Sequence, residues 1–168
     1  MMMPLPGPAV RAVFWRVDDT RYERTWDSGE GARLKGGRWS PPGLAIVYSS
    51  LDPATAILEV GVHKGFGALN AVAHVLSVGQ LTIQWADVHI VQPEDVPNKL
   101  WLYPTAVSAA QQEFGRVRLA AHDVVAIPSA VSRRSWNLMF DATRAAGAYR
   151  LVHQESLDLD PRLNPAAR

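Results

Sequence analysis

Ala45-Ile46-Val47-Tyr48-Ser49, then Asp52-Pro53-Ala54-Thr55-Ala56-Ile57-Leu58-Glu59-Val60-Gly61-Val62 and a closing Gly65, place a short apolar strand directly before a helix. The first run follows the Pro41-Pro42-Gly43 turn and suits a buried strand. In the second, Asp52 is placed to cap, Pro53 suits the first helical position, and Gly65 lies where a terminator belongs. A helix apolar nearly all round is expected to be buried on most faces. Glu59 is its only acid. An isolated buried carboxylate is costly, so Glu59 must be neutral or paired with a cation. A structural ion pair is the plainer explanation, and a catalytic carboxylate is the other.

Upstream, Ala12-Val13-Phe14-Trp15-Arg16-Val17 is a β-branched and aromatic run ended by Asp18-Asp19, a strand with Arg16 near its carboxyl end. Residues 21–40 are polar and contain Gly29, Gly31, Gly36 and Gly37, so a long loop is expected there, of the kind that usually serves function. Downstream, Ala71 to Val78 and Thr82 to Val91 read as strands, and Pro104 to Arg118 as an amphipathic helix weakened near its end by Gly115. Val124 to Ile127 is a buried strand closed by Pro128-Ser129, and Ala148 to Val152 a last one. Strands outnumber helices and do not alternate with them regularly. The expected class is α+β, with a mixed, mainly antiparallel sheet rather than a doubly wound one.

The 168 residues carry 17 Lys plus Arg against 16 Asp plus Glu, a net charge of +1, and 48% of them are hydrophobic. One domain with its own core follows. A mobile lead-in over 1–10, a body over 11–157 and a polar tail over 158–168 are expected. Near-neutral charge gives no general attraction to nucleic acid or anionic membrane. There is no cysteine, which removes disulfides, thiolate zinc sites, iron–sulfur clusters and cysteine nucleophiles. Met1 to Pro8 lacks the charged region and apolar helix of a secretory signal, and no apolar run approaches membrane-spanning length. The cytoplasm is the expected compartment.

Arg16, Arg33 and Arg38 lie at a strand end or in the glycine-rich segment, where guanidinium and backbone N–H groups can hold phosphate oxygens. Solvated loop charge is the plain alternative. Tyr48 reads as core or as a ligand platform, and Ser129 as a turn residue or a site. The histidines His63, His74, His89, His122 and His153 show no His-Glu-x-x-His spacing, and neither a Gly-Lys-Ser/Thr phosphate loop, a Gly-x-Gly-x-x-Gly turn nor a Gly-x-Ser-x-Gly elbow occurs. Chemistry on a phosphorylated substrate would rest on arginines and a carboxylate, with no metal.

Trp15-Arg16-Val17, Gly29-Glu30-Gly31-Ala32-Arg33, Gly36-Gly37-Arg38-Trp39-Ser40, Gly43, Val47-Tyr48, Leu58-Glu59-Val60 and Ile127-Pro128-Ser129-Ala130-Val131 together resemble the RES domain, named for its Arg, Glu and Ser. The order and spacing match from about Arg11 to Asn137, and Asp160-Pro161-Arg162-Leu163 resembles the close of such domains. Where the family usually has Asn-Pro-x-His-Pro after the serine, this chain has Trp136-Asn137-Leu138-Met139-Phe140-Asp141. The resemblance implies an ADP-ribosyltransferase-like fold and a toxin of a bacterial toxin–antitoxin pair that consumes NAD as substrate. It implies a hetero-oligomer with an antitoxin bearing a helix-turn-helix region, which this chain itself lacks. Glu59, Arg38 and Ser129 would be catalytic, and Arg16, Arg33, Arg38, Tyr48 and Ser129 would bind NAD. The acceptor of ADP-ribose would be a cellular protein. An NAD phosphorylase or glycohydrolase without a protein target is the alternative, and a catalytically silent nucleotide- and antitoxin-binding module is a third reading. An RNase-type toxin is weaker, because it lacks an evident acid–base pair around Glu59.

Overall fold

The structure, a computed structural model, describes residues 1–65, 69 and 71–158. Among these residues, seven strands form one mixed sheet in the order β4-β5-β6-β2-β1-β3-β7. They are β1 (Val13–Asp19), β2 (Ile46–Ser50), β3 (His74–Leu81), β4 (His89–Ile90), β5 (Val125–Pro128), β6 (Trp136–Asp141) and β7 (Tyr149–Leu157). β4 and β5 run parallel, and every other neighbouring pair is antiparallel. Three α-helices are described along their whole length: α1 (Glu30–Lys35), α2 (Pro53–Lys64) and α3 (Ala109–Ala121). The class is α+β, as the irregular succession of strands and helices implies.

The sheet is split in its middle. β1 pairs with β3 through seven consecutive partners, from Val13↔Gln80 to Asp19↔His74, whereas β1 meets β2 only at Trp15↔Ser50. Alternation along the strands sorts side chains onto two faces. Phe14, Val47, Ala126, Leu138 and Phe140 belong to one core cluster, with Trp26 and Trp85 packed over them. Ile46, Val125, Ile127 and Met139 point the other way and pack with Trp39 and Leu119, and Tyr48 and Phe114 border that cluster. Val17, Ala56 and Leu76 form a third cluster under α2. Residues directly opposite in an antiparallel pair share a face, so Trp15↔Ser50 puts α2 and α3 on the same side of the sheet. α2 lies over β1 and β3, α3 over β2, β5 and β6, and the split opens between them. Each fully buried Ile, Leu or Phe in these clusters contributes about 1.5–3 kcal/mol.

Local chemistry sets the helices. The Asp52 carboxylate accepts from Thr55 N at 2.8 Å and Pro53 opens α2, as their order predicts. Gly65 ends it, with its N–H bonded to Gly61 O at 2.8 Å. The expectation that α2 is buried on most faces fails. Only Thr55, Ala56 and Gly61 are buried, and Val62 is 54% exposed, because α2 has the sheet on one side only.

Several other expectations change. Residues 21–40 are not one loop: a 3-10 helix covers Thr20–Thr25 and α1 follows, their ends fixed by the Asp19 cap on Arg21 N and by Gly36. β1 runs through Asp18-Asp19, because pairing with β3 satisfies their backbone. Thr82 to Val91 is not one strand: a 3-10 turn covers Trp85–Asp87, and only His89–Ile90 lie in the sheet. Gly115 does not weaken the end of α3 but sits inside it, where a Cβ would come within 2.0 Å of Trp39 O. The lead-in lies along the body, with Met3 N bonded to Arg134 O at 2.6 Å and Trp136 Nε1 to Met3 O at 2.9 Å. The segment Asp160 to Leu163 and the tail beyond Asp158 lie outside the described residues. No described helix is long and apolar enough to cross a membrane.

Candidate functional site

Glu59 sits two turns into α2, on the side of Thr55 and Ala56, and reaches the ends of β5 and β6. Its Oε1 accepts two hydrogen bonds, from Ser129 Oγ at 2.8 Å and from Asn137 Nδ2 at 2.6 Å. Among the described residues, nothing donates to Oε2. The expected cation is therefore not a direct partner, and a hydroxyl and an amide hold the carboxylate instead.

Both donors are fixed. Ser129 Oγ accepts from Val131 N at 3.2 Å and Ser132 N at 2.9 Å, so its acceptor sites are filled and its one proton is left for Glu59. Asn137 lies opposite Ser50 in the β2–β6 ladder, and its Oδ1 accepts from Ser50 Oγ at 2.9 Å. That bond leaves Nδ2 to face Glu59. Ser135 Oγ donates to Asp52, which ties the loop after Ser129 to the first turn of α2. Burial works to raise the Asp52 carboxyl, but the Ser135 and Thr55 donors overcome it and hold it below its ordinary range.

Arg38 stands on a tight turn in which Gly37 N bonds Ser40 O at 2.8 Å. The Tyr48 hydroxyl plugs this turn, at 2.8 Å from Ser40 Oγ and accepting from Trp39 N at 3.2 Å. Gly37 has to be glycine, since a Cβ there would stand 2.5 Å from Tyr48 Oη. From the other side, α3 donates Gln112 Nε2 to Gly37 O at 3.0 Å. The Arg38 guanidinium donates to Tyr103 O at 3.2 Å and Thr105 O at 3.4 Å. Burial presses its pKa below the ordinary value, opposed by the fields of Glu59 and Tyr48. Arginine nevertheless stays charged. Burial pushes the Tyr48 phenol up to about 12, despite its bonds with Ser40 and Trp39 and the nearby Arg38. Glu59, Arg38 and Tyr48 thus share one electrostatic neighbourhood on the split face of the sheet.

Arg16 bridges the split, donating Nη1 to Tyr48 O and Nη2 to Asp18 Oδ1, both at 2.7 Å. Among the described residues, its Nε and Asp18 Oδ2 are buried without a partner. Arg33 is not brought to the site. It is half-exposed on α1 and forms a surface ion pair with Glu30 at 2.6 Å, so the structure gives it no contact with Glu59, Arg38 or Tyr48. Sequence reasoning misses Asn137 because it does not read β6 as a strand. The signal that could have found it is a lone amide between Trp136 and Leu138 in an otherwise apolar run, which implies a buried polar group that needs partners. Among the described residues, no three His, Cys, Asp or Glu side chains cluster as metal ligands.

A carboxylate held through one oxygen and a partly buried arginine thus lie on one face of a split α+β sheet. The family follows from the comparisons: the RES domain profile matches residues 13–160, and the chain belongs to the RES domain family. It is 35% identical over 86 residues to the Prs ADP-ribosylating toxin of Sphingobium sp. (strain YBL2), across 50% of this chain and 53% of that protein. The chain thus spans about half the length of that relative. It is 28% identical over 120 residues to Toxin Res of Photorhabdus laumondii, covering 71% of this chain and 74% of the relative. Its fold matches a chain in the crystal structure of the M. tuberculosis MbcT-MbcA toxin-antitoxin complex, with a TM-score of 0.71 at 20% identity, covering 89% of this chain and 85% of that one.

Proposed function

We propose that this chain is the toxin of a bacterial toxin–antitoxin pair, and that it cleaves NAD at the nicotinamide–ribose bond and passes ADP-ribose to an acceptor. The observation that carries the reading is the Glu59 carboxylate, fixed through Oε1 by Ser129 and Asn137 with Oε2 unbonded, in the field of Arg38. The names of the relatives support the toxin class and ADP-ribosylation.

In this reaction the C1′–N bond breaks and its electron pair leaves with the nicotinamide ring, whose positive charge is thereby neutralised. The ribose acquires oxocarbenium character, and a fixed carboxylate stabilises that charge without reorganising. Glu59 Oε2 meets this need, either beside C1′ or by holding a ribose hydroxyl. The acceptor oxygen or nitrogen then bonds to C1′ and loses its proton. Because the leaving group departs neutral, no strong general acid is required. Arg38, and the second N–H on each Nη of Arg16, would meet the diphosphate, for which a planar bidentate cation is suited. Tyr48 would border the nicotinamide ribose, its hydroxyl committed to the Arg38 turn. Ser129 would serve through Glu59, since its hydroxyl is fully engaged. Arg33 has no place in this arrangement.

The acceptor is proposed to be a cellular protein, and the partner an antitoxin with a helix-turn-helix region. The likeness to a chain solved within a toxin-antitoxin complex supports an antitoxin partner. The test is incubation with NAD labelled on its adenylate, with and without phosphate and cell lysate. Labelled protein supports the proposed acceptor, whereas ADP-ribose or its phosphate ester alone points to NAD depletion. No nicotinamide release in any condition would leave the silent binding module.

A further inference from the structure

Glu59 is held unevenly: both donors converge on Oε1, while among the described residues Oε2 has none. From this asymmetry we infer that Asn137 is a positioning residue that, with its own amide set by Ser50, selects Oε2 as the oxygen turned to substrate. The inference rests on the NAD-cleaving reading for its kinetic consequences, but not for its geometry.

Ser50 Oγ occupies Asn137 Oδ1, and the reverse amide orientation would bring two acceptor oxygens to 2.6 Å. The direction of the amide is therefore determined, and with it the sense of the relay from Ser50 through Asn137 to Glu59. Ser50 and Asn137 are buried, at 2% and 9% exposure, and sit opposite each other on two paired strands. A relay on rigid strands fixes an oxygen more closely than a loop does. Ser129 arrives from the end of β5, so two donors from different strands pin one oxygen and leave the carboxylate little freedom to rotate. Losing Asn137 would leave Ser129 as the one donor among the described residues, able to follow either oxygen.

The test uses the full chain, with nicotinamide release measured across NAD concentration and pH. Asn137→Leu should lower kcat about 10- to 100-fold while KM stays within about threefold, the scale of losing an outer-shell orienting bond. Asn137→Asp is isosteric and adds a charge-specific readout. When its new carboxyl is protonated it can donate to Glu59 as the amide does, and when ionised it repels Glu59. Its kcat should approach wild type at about pH 5 and fall as pH rises to about 9. The field of Glu59 reaches Arg38, which stays charged, and Tyr48, which keeps its proton to about 12; His63, one turn along α2 from Glu59, is common to both proteins, so the profile is read as the ratio of variant to wild-type kcat. A purely structural role predicts the same fractional loss at every pH, and that result, or full kcat in Asn137→Leu, overturns the inference. If Asn137→Leu does not fold, the Asn137→Asp profile decides. If the wild type releases no nicotinamide, the functional proposal fails by itself, and crystals of Asn137→Asp at the two pH values then decide positioning. The Glu59 carboxylate in place at acid pH and displaced at alkaline pH supports it; one unmoved at both overturns it.

Discussion

Ser129 illustrates how a single hydroxyl can be fully used: it takes two backbone N–H bonds and gives its proton to Glu59. Ser129→Ala removes that proton and orphans the N–H groups of Val131 and Ser132. Turnover should fall about 10- to 100-fold, with a stability loss of about 1 kcal/mol, read from initial rates and urea unfolding. The two cationic candidates on the glycine-rich segment should separate cleanly. Arg38→Ala should raise the Kd for NAD at least about tenfold, the scale of losing a charge-assisted contact, whereas Arg33→Ala should leave it unchanged. Isothermal titration of the two variants checks this, and equal effects would contradict the placement of Arg33 on a surface pair. At this scale much of the site was legible, because Glu59, Arg38, Tyr48 and Ser129 are polar residues set beside apolar or glycine-rich runs. What the chain could not show is which atoms each group spends. The Tyr48 hydroxyl is absorbed by the Arg38 turn, and Arg16 by Tyr48 O and Asp18, through contacts between residues distant in sequence.

At the level of elements, α2 was readable because its signals are local: a cap, a proline and a terminal glycine. β6 was not, because its meaning comes from pairing with β2 and β5, and only that pairing sets Asn137 against Ser50. Gly115 is the same case, since its role depends on the backbone of Trp39, 76 positions earlier in sequence. Gly115→Ala would drive a methyl into that carbonyl, so α3 or the Arg38 turn must move. A loss of about 1–3 kcal/mol is expected, with a raised KM for NAD, measurable by denaturation and kinetics. The junction of β4 and α3 carries a pH signature. His89 and His122 stack at 4.0 Å with 4° between their planes. Burial first, then the fields of His122 and Arg118, hold His89 below its ordinary pKa, with Asp95 opposing. The unfolded chain therefore binds the proton more readily, so stability is full above the unfolded value of about 6.5 and declines as pH falls through it. Melting temperatures from about pH 7.5 to pH 5 should show this decline, and His89→Phe should reduce it.

Across the whole molecule, one split in the sheet organises the rest. β1 leaves β2 after a single partner pair, Arg16 bridges the opening, and α2 and α3 flank it on the same face. α2 brings Glu59 from one side, and α3 backs the turn that carries Arg38 from the other. The α+β class was visible in the order of strands and helices, but the split was not, because it is a missing set of pairings rather than a feature of any segment. The proposed chemistry stands most directly on Glu59→Gln, compared with wild type for NAD affinity by calorimetry and for nicotinamide release in a single turnover. The predicted result is a Kd within about threefold of wild type and a release rate lower by about 100-fold or more, as expected when one electrostatic contact to the transition state is removed. Release at the wild-type rate from the Gln variant would contradict it.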